Sequence, residues 1–313
     1  MSVYTPLQLQ DVQQFAKRYA LTVERIDPIQ EGVQNTNYFV ICQDGEYVLT
    51  VFEDLPEERI NAFIPVLHHL QQNGVNVPAP LVVDGQALFH IAGKPAQLAP
   101  RFKGKNAIAT VGQTAQLADA QAKMHVVLQD FNFENPHKNL ARWWSEVIPH
   151  VASEMTQEDQ QLLTACFAWH DDVRAKHTNR PKGLIHADLF RDNSLFIDDE
   201  LQCILDFSEV HREEFLYDIA ITLNDFCSQA DGSLNAEKYQ AYLTAYEKVR
   251  PLTADEHACL AAYLAVAACH FWLFRLNMQK RNRLEGRLGS DVQQKDPNEM
   301  KRLLQVHLAK RTV

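Results

Sequence analysis

Residues 183–210, GLIHADLFRDNSLFIDDELQCILDFSEV, set His186, Asp188, Asp192 and Asn193 between two short apolar runs and end a third run on Asp206. If 183–187 and 194–198 are strands of one small sheet, and 201–205 pairs back after a turn at Asp198 and Asp199, then Asp188, Asn193 and Asp206 converge at one end of it. An amide oxygen beside a carboxylate is a hard, oxygen-only donor set, suited to Mg²⁺ with phosphate and not to zinc. A second carboxylate nearby can accept the proton of a hydroxyl. Phosphoryl transfer needs this set of groups, because its catalysis is mostly positioning and charge neutralisation. Asp192, Asp198 and Asp199 read instead as turn residues, whose short side chains bond to nearby backbone.

Two kinds of element have to hold these groups. Over the first hundred residues the signals are those of hairpins. Asp44-Gly45 lies inside TNYFVICQDGEYVLTVF (36–52), and Asp84-Gly85 joins PLVV to ALFHIAG. Asp-Gly between apolar runs favours a tight turn in which both positions take positive φ. An opening helix over 6–19 and another over 56–74, containing Pro65 and closed by Gly74, are expected beside this sheet. From Gly104 onward, apolar residues recur three and four apart over 108–128, 156–177, 235–249 and 253–278, the last opening on a Thr253 to Glu256 capping box. The expectation is an α+β chain, with a small antiparallel sheet in 1–103 and a larger, mostly helical part in 104–313. The segment APRFKGKN (99–106) is the natural link.

A chain of 313 residues with 46% hydrophobic content can bury a substantial core. Its formal net charge of −10 argues against nucleic acid or an anionic membrane as the main partner. The six cysteines lie far apart within apolar runs, and no secretory leader opens the chain, which points to a reducing cytoplasm. The stretch YLAVAACHFWLFRLNM (263–278) is shorter than a membrane span and carries His270 and Arg275, as a core helix would.

His186-x-Asp188 with Asn193 five positions after the Asp fits the kinase loop form H-x-D-x-x-x-x-N, and Asp206-Phe207-Ser208 stands where Asp-Phe-Gly belongs. HADLFRDN followed by ILDF resembles the signature of the aminoglycoside phosphotransferase and choline kinase superfamily, whose fold is similar to that of protein kinases. The resemblance implies a two-lobed kinase-like fold: a nucleotide-binding N-lobe in 1–103 and a catalytic, substrate-binding C-lobe in 104–313. It implies Asp188 as catalytic base, Asn193 and Asp206 as Mg²⁺ ligands, His186 as a structural member of the loop and Asp218 as its brace.

Within that superfamily, EGVQNTNYFV (31–40) resembles the G-x-x-N-T-N-Y-F stretch of the bacterial type II homoserine kinases. EYVLTVFE, VPAPL, IAGKPAQLAPRFKG and LYDIAITLNDFC look like the same family in order. This implies phosphorylation of the L-homoserine hydroxyl by ATP, in threonine biosynthesis. Choline, methylthioribose or an aminoglycoside as acceptor, or a nucleotide-binding regulatory module without turnover, are the rival readings. The oligomeric state is not legible.

Phosphate would lie against the backbone N–H groups from Gly32 and Val33 to Asn37, with the side chains of Asn35, Thr36 and Asn37 as donors; a plain polar turn is the alternative. Thr50 stands where many kinases of this fold carry a cation for the α- and β-phosphates, and a hydroxyl cannot neutralise that charge. Arg101 and Phe102 are candidates for adenine contacts through backbone groups, or simply a strand end. For the acceptor, Asn224, Asp225 and Arg275 are candidates beside Asp188, with an internal ion pair as the alternative for Arg275. Glu57 and Glu58, with no strand Lys to pair, read as a solvated helix face.

Overall fold

The structure, a computed structural model, describes residues 4–30, 35–133, 140–286 and 295–311, which belong to two compact units. Of the described residues, the first unit runs to Gly104 and also takes in Gln202–Ser208; the second holds the rest. A single cut near 104 therefore misplaces 202–208. That segment joins the first unit through backbone: the Ile204 N–H donates to the Asn76 carbonyl at 3.0 Å.

In the first unit, α1 (Leu9–Ala16) precedes β1 (Val23–Ile29), β2 (Thr36–Cys42) and β3 (Gly45–Val51). Then come α2 (Glu57–Gln72), β4 (Phe89–Ile91) and β5 (Lys94–Pro100). The strands form one antiparallel sheet in the order β1-β2-β3-β5-β4. Side chains alternate across the pleat. Tyr38, Val40, Leu49, Val51, Ala96 and Leu98 thus enter one core with Val12 and Phe15 of α1. Asn37, Thr50 and Gln97, paired across β2, β3 and β5, occupy the opposite face.

The turns differ from expectation. Cys42 pairs with Gly45, so the first hairpin turns on Gln43 and Asp44, and Gly45 already belongs to β3. Asp84 and Gly85 do take positive φ (50° and 79°), but they close only an isolated bridge between Val83 and Gln86. The hairpin that extends the sheet turns instead at Ala92-Gly93, with φ of 50° and 77°. Ala is an uncommon occupant of that region, which is why composition did not mark it.

The second unit contains β6 (Lys105–Asn106), α3 (Val111–Leu128), α4 (Leu140–Val151), α5 (Gln157–Lys176), β7 (Lys182–Ile185) and β8 (Ser194–Ile197). It continues through β10 (His211–Glu214), α6 (Phe215–Phe226), α7 (Ala236–Val249), α8 (Ala254–Leu284) and α9 (Pro297–Ala309); β9 (Glu200–Ile204), which precedes β10, passes into the first unit at Gln202. Neither α4 nor α9 was expected from periodicity. The capping box at Thr253 and Glu256 forms, but α8 runs on to 31 residues, well past 278. By length and composition it is apolar enough to cross a membrane, yet 72% of its most apolar window is buried in the protein. It is a core helix, in contact with α4, α5, α6 and α9. All six cysteines are buried and unpaired, as small apolar side chains would be.

Candidate active site

The polar segment between β7 and β8 is not the end of one sheet. β7 pairs antiparallel with β10, from His211 opposite Ile185 to Glu214 opposite Lys182, while β8 is the middle strand between β6 and β9. The two apolar runs belong to different ribbons because the chain leaves β7 at Ala187 with φ of 67°. Such a kink suits a residue without bulk but still strains the backbone. Gly183 allows β7 to lie close to α6: a Cβ there would meet the Phe215 ring at 2.2 Å.

Asp188 and Asn193 come together on this loop. The Asn193 amide donates from Nδ2 to the Asp188 backbone carbonyl at 2.7 Å and to its carboxylate Oδ2 at 3.1 Å. The amide nitrogen is thereby used within the loop, and the amide oxygen is the atom left to act as a ligand. His186 is fully buried and its Nδ1 accepts from the Asp188 N–H at 3.2 Å. Asp192 is exposed and paired with Lys295 at 2.6 Å.

What holds the loop is α6. Asp218, Thr222 and Asp225 recur four and three apart on this buried helix, so they share one face. Asp218 accepts from the Ala187 N–H at 2.7 Å and the His186 N–H at 3.3 Å. The Thr222 hydroxyl donates to the Leu189 carbonyl at 3.3 Å. Asp225 accepts from the Arg191 N–H at 2.7 Å and from its guanidinium at 3.1 and 3.3 Å. One helix face grips the loop at three successive points.

Asp218 also accepts from Gln121 at 3.0 Å and from His125 Nε2 at 2.9 Å, both on α3. Burial pushes its carboxyl pKa up, but the hydrogen bond and charge of His125, with Gln121, outweigh that and hold it at about 2. Burial lowers the His125 pKa. Its Nδ1 meets the Tyr246 hydroxyl at 2.7 Å. Tyr246 in turn accepts from Arg250 at 3.3 Å, and Arg250 pairs with the buried Glu256 at 2.7 Å. Gln121 and His125 went unnoticed in the sequence; two polar residues four apart on the apolar face of a long helix were the available signal.

The acceptor candidates are mostly reassigned. Asn224, 2% exposed, donates to the Leu264 carbonyl at 2.8 Å, and its oxygen meets His307 Nε2 at 2.8 Å. Both ends of its side chain are committed inside the protein, so it is a structural tie and not a substrate ligand. Asp225 is the anchor of Arg191. Arg275 is 7% exposed and binds the Asp296 carbonyl at 2.7 Å and Glu299 at 2.9 Å, an ion pair with α9 and its cap. It is no clamp for substrate.

In the first unit, Asp206 is exposed and sits at φ of 54°. Its carboxylate accepts from the Ser208 N–H at 3.1 Å. The Thr50 hydroxyl donates to Asn37 Oδ1 at 2.8 Å, which fixes that amide, and its nitrogen donates to the Asn35 carbonyl at 3.4 Å. Thr36 is a correction. It is fully buried, accepts from the Tyr4 and Thr5 N–H groups and donates to Glu53, so its hydroxyl is not available to phosphate. Arg101 directly follows β5, its N–H on the Glu46 carbonyl at 3.0 Å, its guanidinium on Glu46 at 2.7 Å and 3.7 Å from the Phe39 ring centroid. Its N–H is thus unavailable to a base, and the strand-end alternative is the right one for it. Phe102 is half-buried. Gly32 and Val33 lie outside the described residues.

A family model described as "phosphotransferase enzyme family" matches residues 25–252. A homoserine kinase of Methylobacillus flagellatus is 36% identical over 315 residues, spanning 99% of this chain and 97% of that protein. One from Neisseria meningitidis serogroup B is 36% identical over 279 residues, 88% of this chain and 91% of that protein. Among solved structures, an amicoumacin kinase in complex with AMP-PNP and Ca²⁺ superposes with a TM-score of 0.65 at 17% identity. It covers 97% of this chain and 94% of that one, a likeness of fold.

Proposed function

This chain belongs to the phosphotransferase enzyme family and, within it, to the homoserine kinases, and we propose on that premise that it transfers the terminal phosphoryl group of ATP to the side-chain hydroxyl of L-homoserine. The product is O-phospho-L-homoserine, a step of threonine biosynthesis, and the cytoplasm is its place of work. The first unit takes the nucleotide and the second supplies the catalytic loop.

One observation carries the assignment of roles: the Asn193 amide lies 3.1 Å from the Asp188 carboxylate on a loop gripped three times by α6. Asp188 is the base. Held in this way, its carboxylate accepts the hydroxyl proton as the acceptor oxygen bonds to the terminal phosphorus and the bond to the bridging oxygen of ADP breaks. Because the loop is braced by buried hydrogen bonds, little reorganisation remains to be done when the acceptor binds.

The donor chemistry fits Mg²⁺. Asn193 offers an amide oxygen and Asp206 a carboxylate, both hard donors. Among the described residues no group of three or more His, Cys, Asp or Glu is placed to hold a metal. Mg²⁺ commonly takes only one or two ligands from protein and the rest from phosphate and water. When bound it supplies charge neutralisation on the phosphates. The Asn37 amide, held by Thr50, and the backbone around Gly32, Val33 and Asn35 are the phosphate contacts of this reading, with the backbone at Phe102 for adenine.

The test is ADP release, followed with a coupled assay, for homoserine, choline, methylthioribose and an aminoglycoside in turn. Homoserine should be the preferred acceptor, and absence of any homoserine-dependent ADP would overturn the assignment. Asp188→Asn should abolish turnover and leave nucleotide binding nearly intact. Normal turnover in that variant would remove Asp188 from its role.

A further inference from the structure

Helix α2 and the segment that leads into β4 enclose a cleft of about 840 Å³ within the first unit. None of the groups assigned to nucleotide, metal or acceptor lines it. Arg18 does, with its guanidinium 4.4 Å from the Phe89 ring centroid and 4.6 Å from that of Phe15, and its Nε donating to the Phe15 carbonyl at 3.0 Å. The two rings and that bond hold the guanidinium in place, and its Nη groups form a fork suited to a carboxylate. Glu57, the first residue of α2, meets His90 Nε2 at 2.7 Å. A carboxylate has sites for further donors beyond that one. Opposite charges are thus brought to Phe89 and His90, consecutive residues of β4.

The wall that α2 contributes is short of hydrogen-bond partners. Pro65 lies inside the helix and has no N–H, so the Asn61 carbonyl four residues earlier lacks its helical donor. His68 has a buried Nε2 with no hydrogen-bond partner, the kind of atom that a ligand or water satisfies. Burial lowers its pKa, so the ring adds no charge near neutral pH. Glu57, Asn61, Pro65 and His68 recur four, four and three apart and share one helix face, which lines the cleft. Apart from two imidazoles, the lining therefore carries one cation, Arg18, and one anion, Glu57. A dianion would be opposed by Glu57, and a ligand with a single charge would leave one of the two unmatched. A ligand carrying both charges is complementary to this lining.

We propose that this cleft is a second ligand site, for a small amino acid in its zwitterionic form: the carboxylate on Arg18, the ammonium on Glu57 and the Asn61 carbonyl, and the apolar part against Ile64 and Pro65. The site depends on neither the nucleotide nor the acceptor reading given above. An α-amino acid and a longer ω-amino acid share this chemistry and differ only in the separation of their charges.

The test is calorimetry on the full chain, with no ATP and no Mg²⁺ present. The probes are valine, leucine and γ-aminobutyrate, with acetate and methylamine as the separate halves of a zwitterion and inorganic phosphate as a dianion. Wild type is compared with R18K, R18Q, E57Q and N61W, the last filling the cleft without touching its charges, and thermal melting checks that each variant is folded. A zwitterion should bind, and acetate and methylamine far more weakly: valine or leucine would mark an α-amino acid as the ligand, γ-aminobutyrate alone a longer one. A charge-assisted hydrogen bond corresponds to roughly ten- to hundred-fold in affinity. R18Q and E57Q should each lose that much, R18K less, and N61W should bind nothing; should R18Q fail to fold, E57Q and N61W decide. No zwitterion bound at millimolar concentration would overturn the proposal. So would binding that none of the substitutions weakens, since the amino acid would then sit elsewhere, and so would phosphate bound more tightly than any zwitterion. Binding lost in N61W but kept in R18Q and E57Q would overturn the pairing of charges on which the proposal stands.

Discussion

Replacing Asp218 by Asn tests whether the loop is held by the charge at its centre. The wild-type carboxylate is fully buried and accepts from Ala187, His186, Gln121 and His125 at 2.7, 3.3, 3.0 and 2.9 Å. Its pKa is about 2 in the folded protein against an ordinary 3.8. At about 1.4 kcal/mol per unit, that difference corresponds to roughly 2–3 kcal/mol of stability. The group's folded pKa is depressed, so this contribution is present above the ordinary carboxylate pKa and is lost as pH falls from 3.8 towards 2. Asparagine keeps the shape but can accept at only one end. Whichever way the amide turns, its NH₂ faces a buried donor, at a cost of about 1–3 kcal/mol. The expected loss at neutral pH is about 3 kcal/mol by urea denaturation. Ala187, no longer held at its strained φ, relaxes and displaces Asp188, and kcat should fall roughly ten- to hundred-fold with little change in the KM for ATP. The variant should also lack the part of the acid transition due to this carboxyl. A variant within about 0.5 kcal/mol of wild type, the range of an inert surface change, and with unchanged kcat would refute the reasoning.

Other outcomes are expected. Asp225→Asn should lower kcat while the urea midpoint moves little, because its pair with Arg191 is partly exposed; Asn224→Ala should do the reverse, costing about 1–3 kcal/mol with homoserine KM unchanged. Gly183→Ala would drive a methyl group against the Phe215 ring, and a melting temperature lowered by the equivalent of about 1–3 kcal/mol should be partly recovered with Phe215→Leu. Burial lowers the His170 and His307 pKa values to about 4. Unfolding lets both take up protons near the ordinary histidine pKa of about 6.5, so stability should be full above that and fall as pH drops towards 4. Each contributes up to roughly 3 kcal/mol, and His307→Gln should remove one share. A urea midpoint that stays flat between pH 7 and 4.5 would exclude this.

The pairing of Asp188 with Asn193 was legible because it is local. Asp188 and Asn193 lie five residues apart on one loop, and a spacing that short specifies a geometry; the same holds for the capping box at Thr253 and for the long apolar periodicities. Hairpin turns were half legible. Asp84-Gly85 turned as its composition demands, but the larger turn fell on Ala92-Gly93, where tertiary pairing of β4 with β5 held an alanine in an unfavoured conformation.

Side-chain roles were decided only by the fold. Thr36, Asn224 and Arg275 are polar residues of suitable type near suitable motifs, and nothing in their neighbours along the chain says which way they face. In the structure they meet Glu53, His307 and Glu299, partners 17, 83 and 24 residues away. The brace is equally nonlocal: His125 and Gln121 reach Asp218 across 93 and 97 residues. By itself the sequence determined the pairing of Asp188 with Asn193 and the class of elements around it, because short spacing and periodicity act within a few residues. The tertiary structure alone decided which polar groups remain for substrate and which are consumed in holding the loop, because a buried donor or acceptor must find its partner wherever the fold brings one.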